Sequence, residues 1–148
     1  MTKVWFDMDG TIADLYAVDG WLEMLRAHNA KPYEKAQPML NMSALARQLN
    51  AIQRKGIQIC IISWMSKESN DLYDMQVERA KRAWLAQHLP SVEWDEIKIV
   101  PYGTPKYRVC GNGILFDDEE RNRNDWNKFA GMAFEPCHIK EVLSLLNH

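Results

Sequence analysis

Short apolar runs, each stopped by a polar group, alternate along this chain with stretches of helical spacing, and that alternation constrains the fold more than any other feature. Lys3 to Met8 is one such run, stopping at Asp9-Gly10-Thr11, and it reads as a buried strand entering a turn. Ile57-Gln58-Ile59-Cys60-Ile61-Ile62 is nearly continuous, as expected of a strand covered on both faces, and it ends at Ser63. Ile97 to Val100 and Ile114-Leu115-Phe116 are further strands, the second ending at Asp117-Asp118, and Met132-Ala133-Phe134 is a short last one.

The intervening segments carry helical periodicity. Leu15, Val18, Leu22 and Leu25 predict a helix between Asp14 and Lys31, while Pro32 and Pro38 make Lys31 to Leu40 an irregular bridge. Leu45, Leu49 and Ile52 predict a helix from about Asn41 to Lys55, with Gly56 as its stop. A helix from Asp71 to His88 packs through Tyr73, Val77, Ala80, Trp84 and Leu85. Arg121 to Ala130 forms another, and Pro136 precedes a last amphipathic one containing Ile139, Val142, Leu143 and Leu146. Strands alternating with helices predict an α/β fold, a parallel sheet with helices on both faces. The long stretch between the first two strands leaves room for a small helical insertion, within about residues 12 to 42.

A chain of 148 residues fits one domain. Its hydrophobic share of 47% and charged share of 26% describe a soluble globular protein. A formal net charge of -2 gives no electrostatic drive toward non-specific nucleic-acid or membrane binding, and no apolar stretch is long enough to span a bilayer. Cys60, Cys110 and Cys137 form no CxxC pair, and Cys60 reads as a buried small hydrophobe. With no secretory apolar region near the N-terminus, the expected compartment is the reducing cytoplasm. His28, His88, His138 and His148 lack the grouping of a zinc site.

Ligands of open α/β sheets bind beyond the carboxyl ends of the strands. Here those ends offer Asp7-Met8-Asp9-Gly10-Thr11, Ser63 and Asp117-Asp118, with Lys106 preceding the late strand. Any one of these has a plain use: an Asp or Ser as a cap or turn, a Lys as a solvated charge. Their joint placement points to chemistry. Carboxylates packed together repel one another unless a cation is present, and Mg²⁺ prefers such oxygen ligands together with substrate phosphate. An ionised Asp attacks phosphorus to give an acyl phosphate, and a second Asp two residues later is placed to protonate the leaving oxygen. Lys106 and magnesium would offset charge on the transferring group, Gly10 would let the backbone turn closely, and Thr11 would donate from hydroxyl or amide.

On these residues the chain resembles the haloacid-dehalogenase-like hydrolase superfamily. Asp7 to Thr11 matches its Asp-x-Asp-Gly-Thr motif, Ser63 its strand-ending Ser or Thr, Lys106 its Lys or Arg, and Asp117-Asp118 its acidic pair, in family order. The resemblance implies a three-layer Rossmann-like core, Mg²⁺, and phosphomonoester hydrolysis through a phospho-aspartate. It implies that Asp7 is nucleophile and metal ligand, and that Asp9 is acid and base and binds metal through its backbone carbonyl. Ser63 and Lys106 would bind the phosphoryl group, Asp118 would be the direct metal ligand and Asp117 its outer-shell partner, an order that can reverse. The small insertion implies a minimal cap, leaving the site open or closed by a partner subunit. The motifs around Lys106 and Leu115-Phe116-Asp117-Asp118 are similar to the deoxyribonucleotidase branch, although Ser63 is followed by Trp64-Met65-Ser66 and not by that branch's proline-containing turn.

The expected substrate is therefore a small phosphorylated molecule, nucleotides among the candidates, with a nucleic-acid end less favoured. Phosphotransfer between substrates, as in a mutase, and a noncatalytic phosphate-binding module are the competing readings. A receiver-type signalling domain uses the same residue types in a different order. Tyr16 and Trp64 follow catalytic motifs and either stack on a base or sugar or simply pack the insertion, the second being the simpler use. Trp84 reads as core packing, and Asn122-Arg123-Asn124 either orients the acidic loop or, more simply, caps a helix.

Overall fold

The computed structural model describes residues 2–148. The chain runs through β1 (Lys3–Phe6), β2 (Ala13–Asp14), α1 (Trp21–Arg26), α2 (Lys31–Lys35), β3 (Gln37–Pro38), α3 (Met42–Arg54) and β4 (Gln58–Trp64). It continues through α4 (Asp71–His88), β5 (Glu96–Val100), α5 (Lys106–Cys110), β6 (Gly113–Phe116), α6 (Glu120–Phe129), β7 (Gly131–Phe134) and α7 (Ile139–Leu146). Five strands form one parallel sheet in the order β5-β4-β1-β6-β7.

Alternation along β1 divides its side chains between two layers. Val4 and Phe6 join Leu45, Leu49 and Ile52 of α3, Trp84 of α4 and Leu143 of α7. Trp5 points the other way, into a cluster with Cys110 of α5 and Trp126 of α6. In β4, Ile59, Cys60, Ile61 and Ile62 are all fully buried, which explains their near-continuous apolar character. Each such isoleucine contributes about 1.5–3 kcal/mol through burial. The result is the three-layer Rossmann-like α/β fold that the alternation and the family resemblance imply.

The insertion differs from its expectation. The helix expected from Asp14 to Lys31 is interrupted, because Asp14 pairs with Gln37 in the small β2–β3 ribbon and Val18 is extended. Gly20, at φ 73°, then turns the chain through the left-handed region, and α1 begins only at Trp21. The Lys31–Leu40 bridge contains the one-turn helix α2, in whose first turn Pro32 loses no hydrogen bond, and then β3. Leu15, Leu25 and Tyr33 of the insertion pack on Tyr73, Val77 and Ala80 of α4. Trp84 Nε1 donates to Ala36 O at 2.8 Å and fastens the insertion to the same helix.

Strand order fixes where a site can form. From β1 the chain builds outward through β4 and β5, then crosses back to lay β6 and β7 on the other side. The connections therefore diverge at the carboxyl end of β1 and leave a crevice there.

Candidate active site

Asp7 leaves the sheet at that divergence. Phe6 is in register with Ile61 of β4 and with Phe116 of β6, and the Asp7 amide donates to Phe116 O at 2.9 Å. The turn that follows is tight: the amides of Thr11, Ile12 and Ala13 all converge on Met8 O. Gly10 has φ 80° and lies against the acidic loop after β6. The Thr11 hydroxyl donates to Asp7 Oδ2 at 2.9 Å, and Lys106 Nζ donates to Asp7 Oδ1 at 2.9 Å. Both carboxylate oxygens of Asp7 are thus oriented by the protein.

Lys106 stands at the start of α5, after a loop braced by the hydrogen bond from Thr104 Oγ1 to Pro101 O, and by Trp64 Nε1, which donates to Thr104 O at 2.9 Å. Its ammonium also donates to Asp117 Oδ2 at 2.7 Å and lies 5.3 Å from the centre of the Trp64 ring. Burial works to lower the Lys106 pKa, but Asp7 and Asp117 outweigh it and hold the group above its ordinary value.

The acidic pair is asymmetric. Asp117 is buried, and its oxygens accept from Lys106, from Asn122 Nδ2 at 3.1 Å and from the Glu119 amide at 2.9 Å. Arg123 Nη1 donates to Asp117 O at 3.1 Å. Asn122 and Arg123 therefore orient the acidic loop, and their expected use as caps is not what the fold makes of them: the N-cap of α6 is Glu119, without a side-chain capping bond. Asp118 is exposed on the cavity wall, with more of its carboxylate left to meet a ligand.

Carboxylate oxygens of Asp7, Asp117 and Asp118 lie within 4.8 Å of one another. Burial, followed by the charge of Asp7, pushes the Asp117 pKa up to about 6 and that of Asp118 up to about 8. Solvent at Asp118 screens part of that repulsion. Lys81 pairs with Asp9, and Lys106 with Asp7 and Asp117, while Asp118 has no ammonium partner among the described residues, so the four carboxylates carry a formal excess of two negative charges over the two lysines. Hard oxygen donors with that imbalance fit a divalent cation of the Mg²⁺ type.

Lys81 is the residue that sequence reasoning missed. It is 1% exposed on the packed face of α4, one helical turn from both Val77 and Leu85. Its ammonium donates to Asp9 Oδ2 at 2.8 Å, Ser63 Oγ at 2.6 Å and Trp64 O at 2.9 Å, with the Tyr33 ring centre 4.8 Å away. A lysine at a core position of an amphipathic helix was the available signal, since such a charge must find partners. Asp9 has its pKa raised by burial, a shift that Lys81 opposes.

A cavity of about 350 Å³ opens over these groups. Asp7, Asp9, Lys106, Asp117, Asp118, Tyr16 and Trp64 border it, so seven of the expected site residues meet there. Gly10, Thr11 and Ser63 stand behind that wall, and both hydroxyls are fully buried: Thr11 holds Asp7, and Ser63 accepts from Lys81. Trp21, Leu22, Leu25 and Tyr33 supply another wall, which places the insertion over the site. Tyr16 meets Trp21 edge to face, and Trp64 tilts against Tyr102. Away from the cavity, His138 comes within 4.8 Å of Glu135 and Cys137 on an exposed surface, where Arg123 holds Glu135 and Glu141 lies 3.7 Å from His138.

Fold and site together define an α/β protein with a carboxylate-rich, lysine-bridged crevice at the divergence point of a parallel sheet. No protein-family model and no curated protein matches the chain. Among solved structures it is similar to D,D-heptose 1,7-bisphosphate phosphatase from B. bronchiseptica, complexed with magnesium and phosphate, at TM-score 0.57 and 13% identity over 90% of this chain and 79% of that one. The corresponding enzyme from Burkholderia thailandensis gives TM-score 0.55 and 12% identity, over 88% and 75%. A protein from Vibrio cholerae gives TM-score 0.53 and 20% identity, over 99% and 97%. At these identities the likeness is one of fold.

Proposed function

We propose that this chain is a magnesium-dependent phosphomonoesterase of the haloacid-dehalogenase-like type. The observation that carries the reading is Lys106, whose buried ammonium ties Asp7 to Asp117 beside the Asp7–Asp117–Asp118 cluster. That arrangement presents an oriented carboxylate nucleophile, fixed positive charge and a cation-binding set in one crevice. The fold shared with magnesium- and phosphate-bound heptose bisphosphate phosphatase supports the same reading.

Asp7 attacks phosphorus, forming an acyl phosphate as the bond to the leaving oxygen breaks, and Asp9 delivers a proton to that oxygen. Asp9 then takes a proton from water, the resulting hydroxide adds to phosphorus, and Asp7 departs with release of phosphate. Lys106 donates one N–H to Asp7 and one to Asp117 and keeps a third for a phosphoryl oxygen. Asp7 and Asp118 would hold Mg²⁺, joined by the backbone carbonyl of Asp9, with Asp117 outside the first coordination sphere. Bound there, the ion supplies positive charge against the transferring phosphoryl group.

The aromatic walls suit a small phosphorylated molecule with a ring to stack, a nucleoside monophosphate or a sugar phosphate. Three free cysteines, Cys60 and Cys110 buried and Cys137 exposed, accord with a reducing, cytoplasmic setting. Among the described residues no helix is long and apolar enough to cross a membrane.

A Mg²⁺-dependent screen of phosphomonoesters, including nucleotides, sugar phosphates and nucleic-acid ends, tests the reading with Asp7→Asn as control. Phosphate release lost in that variant supports it. Trapping of beryllofluoride on Asp7 without any turnover would instead make the chain a phosphate-sensing module.

A further inference from the structure

The two buried lysines of the site differ in how many of their donors are spent. An ammonium group has three N–H bonds and no acceptor. Lys106 uses two of them on side chains, Asp7 and Asp117, and borders the cavity. Lys81 uses all three, on Asp9 Oδ2, Ser63 Oγ and Trp64 O, and its remaining side is closed by the Tyr33 ring. It lies outside the cavity lining, fully enclosed. No donor of Lys81 is left for a phosphoryl oxygen.

We infer that Lys81 is a positioning residue for Asp9, and that the two lysines divide the work, Lys106 on the phosphoryl group and Lys81 on the group that moves the proton. This rests on the phosphatase reading above. Asp9 Oδ2 is fixed by the ammonium, while Asp9 Oδ1 has no protein hydrogen-bond partner among the described residues and Asp9 borders the cavity. Oδ1 is therefore the oxygen that gives its proton to the leaving oxygen and later takes one from water. Ser63 Oγ and Trp64 O anchor the Lys81 ammonium from behind. Tyr33 makes the insertion part of the same support, so the segment covering the cavity also helps aim Asp9.

The reaction itself provides a discriminating readout. An aryl phosphate with a stabilised leaving group needs little protonation, whereas an alkyl phosphate depends on it, and general-acid assistance is worth about 10²–10⁴-fold. In Lys81→Met, kcat/KM for an alkyl monoester should fall at least ~10-fold further than kcat/KM for p-nitrophenyl phosphate. Inhibition by inorganic phosphate should stay within about threefold of the wild type, whereas Lys106→Met should lose phosphate affinity. Equal losses on both esters, or weakened phosphate inhibition in Lys81→Met, would overturn the assignment. If wild-type protein hydrolyses neither ester, the phosphatase reading fails and the assignment with it; turnover of both with an undifferentiated Lys81→Met loss sinks the assignment alone. Should Lys81→Met not fold, a crystal structure of the wild type with Mg²⁺ and beryllofluoride decides. Nζ of Lys81 kept on Asp9, Ser63 and Trp64 O supports the inference, and Nζ on a fluoride overturns it.

Discussion

The Asp118 carboxylate occupies the space that a side chain on Gly10 would need: a Cβ built there would lie 2.2 Å from Asp118 Oδ2 and 3.0 Å from the Tyr16 ring. The first motif and the acidic loop are thus packed backbone to side chain, with no room for a methyl group between them. Gly10→Ala should cost about 1 kcal/mol from the left-handed backbone alone. By displacing Asp118 it should also raise the Mg²⁺ concentration for half-maximal activity by about 10–100-fold. Magnesium titration of phosphate release beside a melting curve checks both effects.

Asp7→Asn keeps the shape of the nucleophile and removes its ability to form an acyl phosphate. Phosphate release should drop on the order of 10⁴-fold or more. The fold should persist, because Lys106 retains Asp117 and the backbone bond from residue 7 to Phe116 is unchanged. Circular dichroism and single-turnover assays separate the two outcomes, and near-wild-type turnover would remove Asp7 from its assigned role.

The metal-free protein should lose stability as pH rises from about 4 to about 8. Asp117 and Asp118 have folded-state pKa values raised above the ordinary carboxylate value of 3.8, to about 6 and about 8. The folded chain therefore binds more protons across that window than the unfolded chain, and unfolding becomes easier as those protons leave. Mg²⁺ should raise the melting temperature more at pH 8 than at pH 5, and Asp118→Asn should flatten the pH dependence in EDTA. Salt should weaken the effect, since Asp118 is exposed. Melting curves across pH, with and without Mg²⁺, provide the check, and a metal-free stability that climbs from pH 5 to 8 would contradict it.

Trp84→Phe should loosen the insertion selectively. The substitution deletes the donor to Ala36 O, a bond of 2.8 Å made by a side chain only 1% exposed. Leaving that carbonyl unpaired costs about 1–3 kcal/mol. Amide exchange should quicken in α2 and β3 while the β6 amides stay protected. Uniform acceleration would mean that Trp84 serves the whole core and not the insertion.

The sequence by itself determined the periodic elements and the residues that end them. Period-two and continuous apolar runs require burial on one or both sheet faces, so β1, β4 and β6 were legible, as was the span of α4. That Asp7 and Asp117 would meet was legible because strand ends in a parallel sheet share one edge, and Lys106, at the start of α5, joins them there. The tertiary structure decided what spacing does not encode. Pairing of Asp14 with Gln37 overrode the helical pattern of the insertion, since a ribbon hydrogen bond to a distant segment is invisible to local periodicity. Asn122 and Arg123 face Asp117 because α6 starts directly beside the acidic loop. Lys81 and Asp9 meet across 72 positions of sequence, and only folding shows that the charge on a core face of α4 is paired. A buried ammonium must be solvated by protein, and which oxygens do so depends on how α4 docks against β1 and β4.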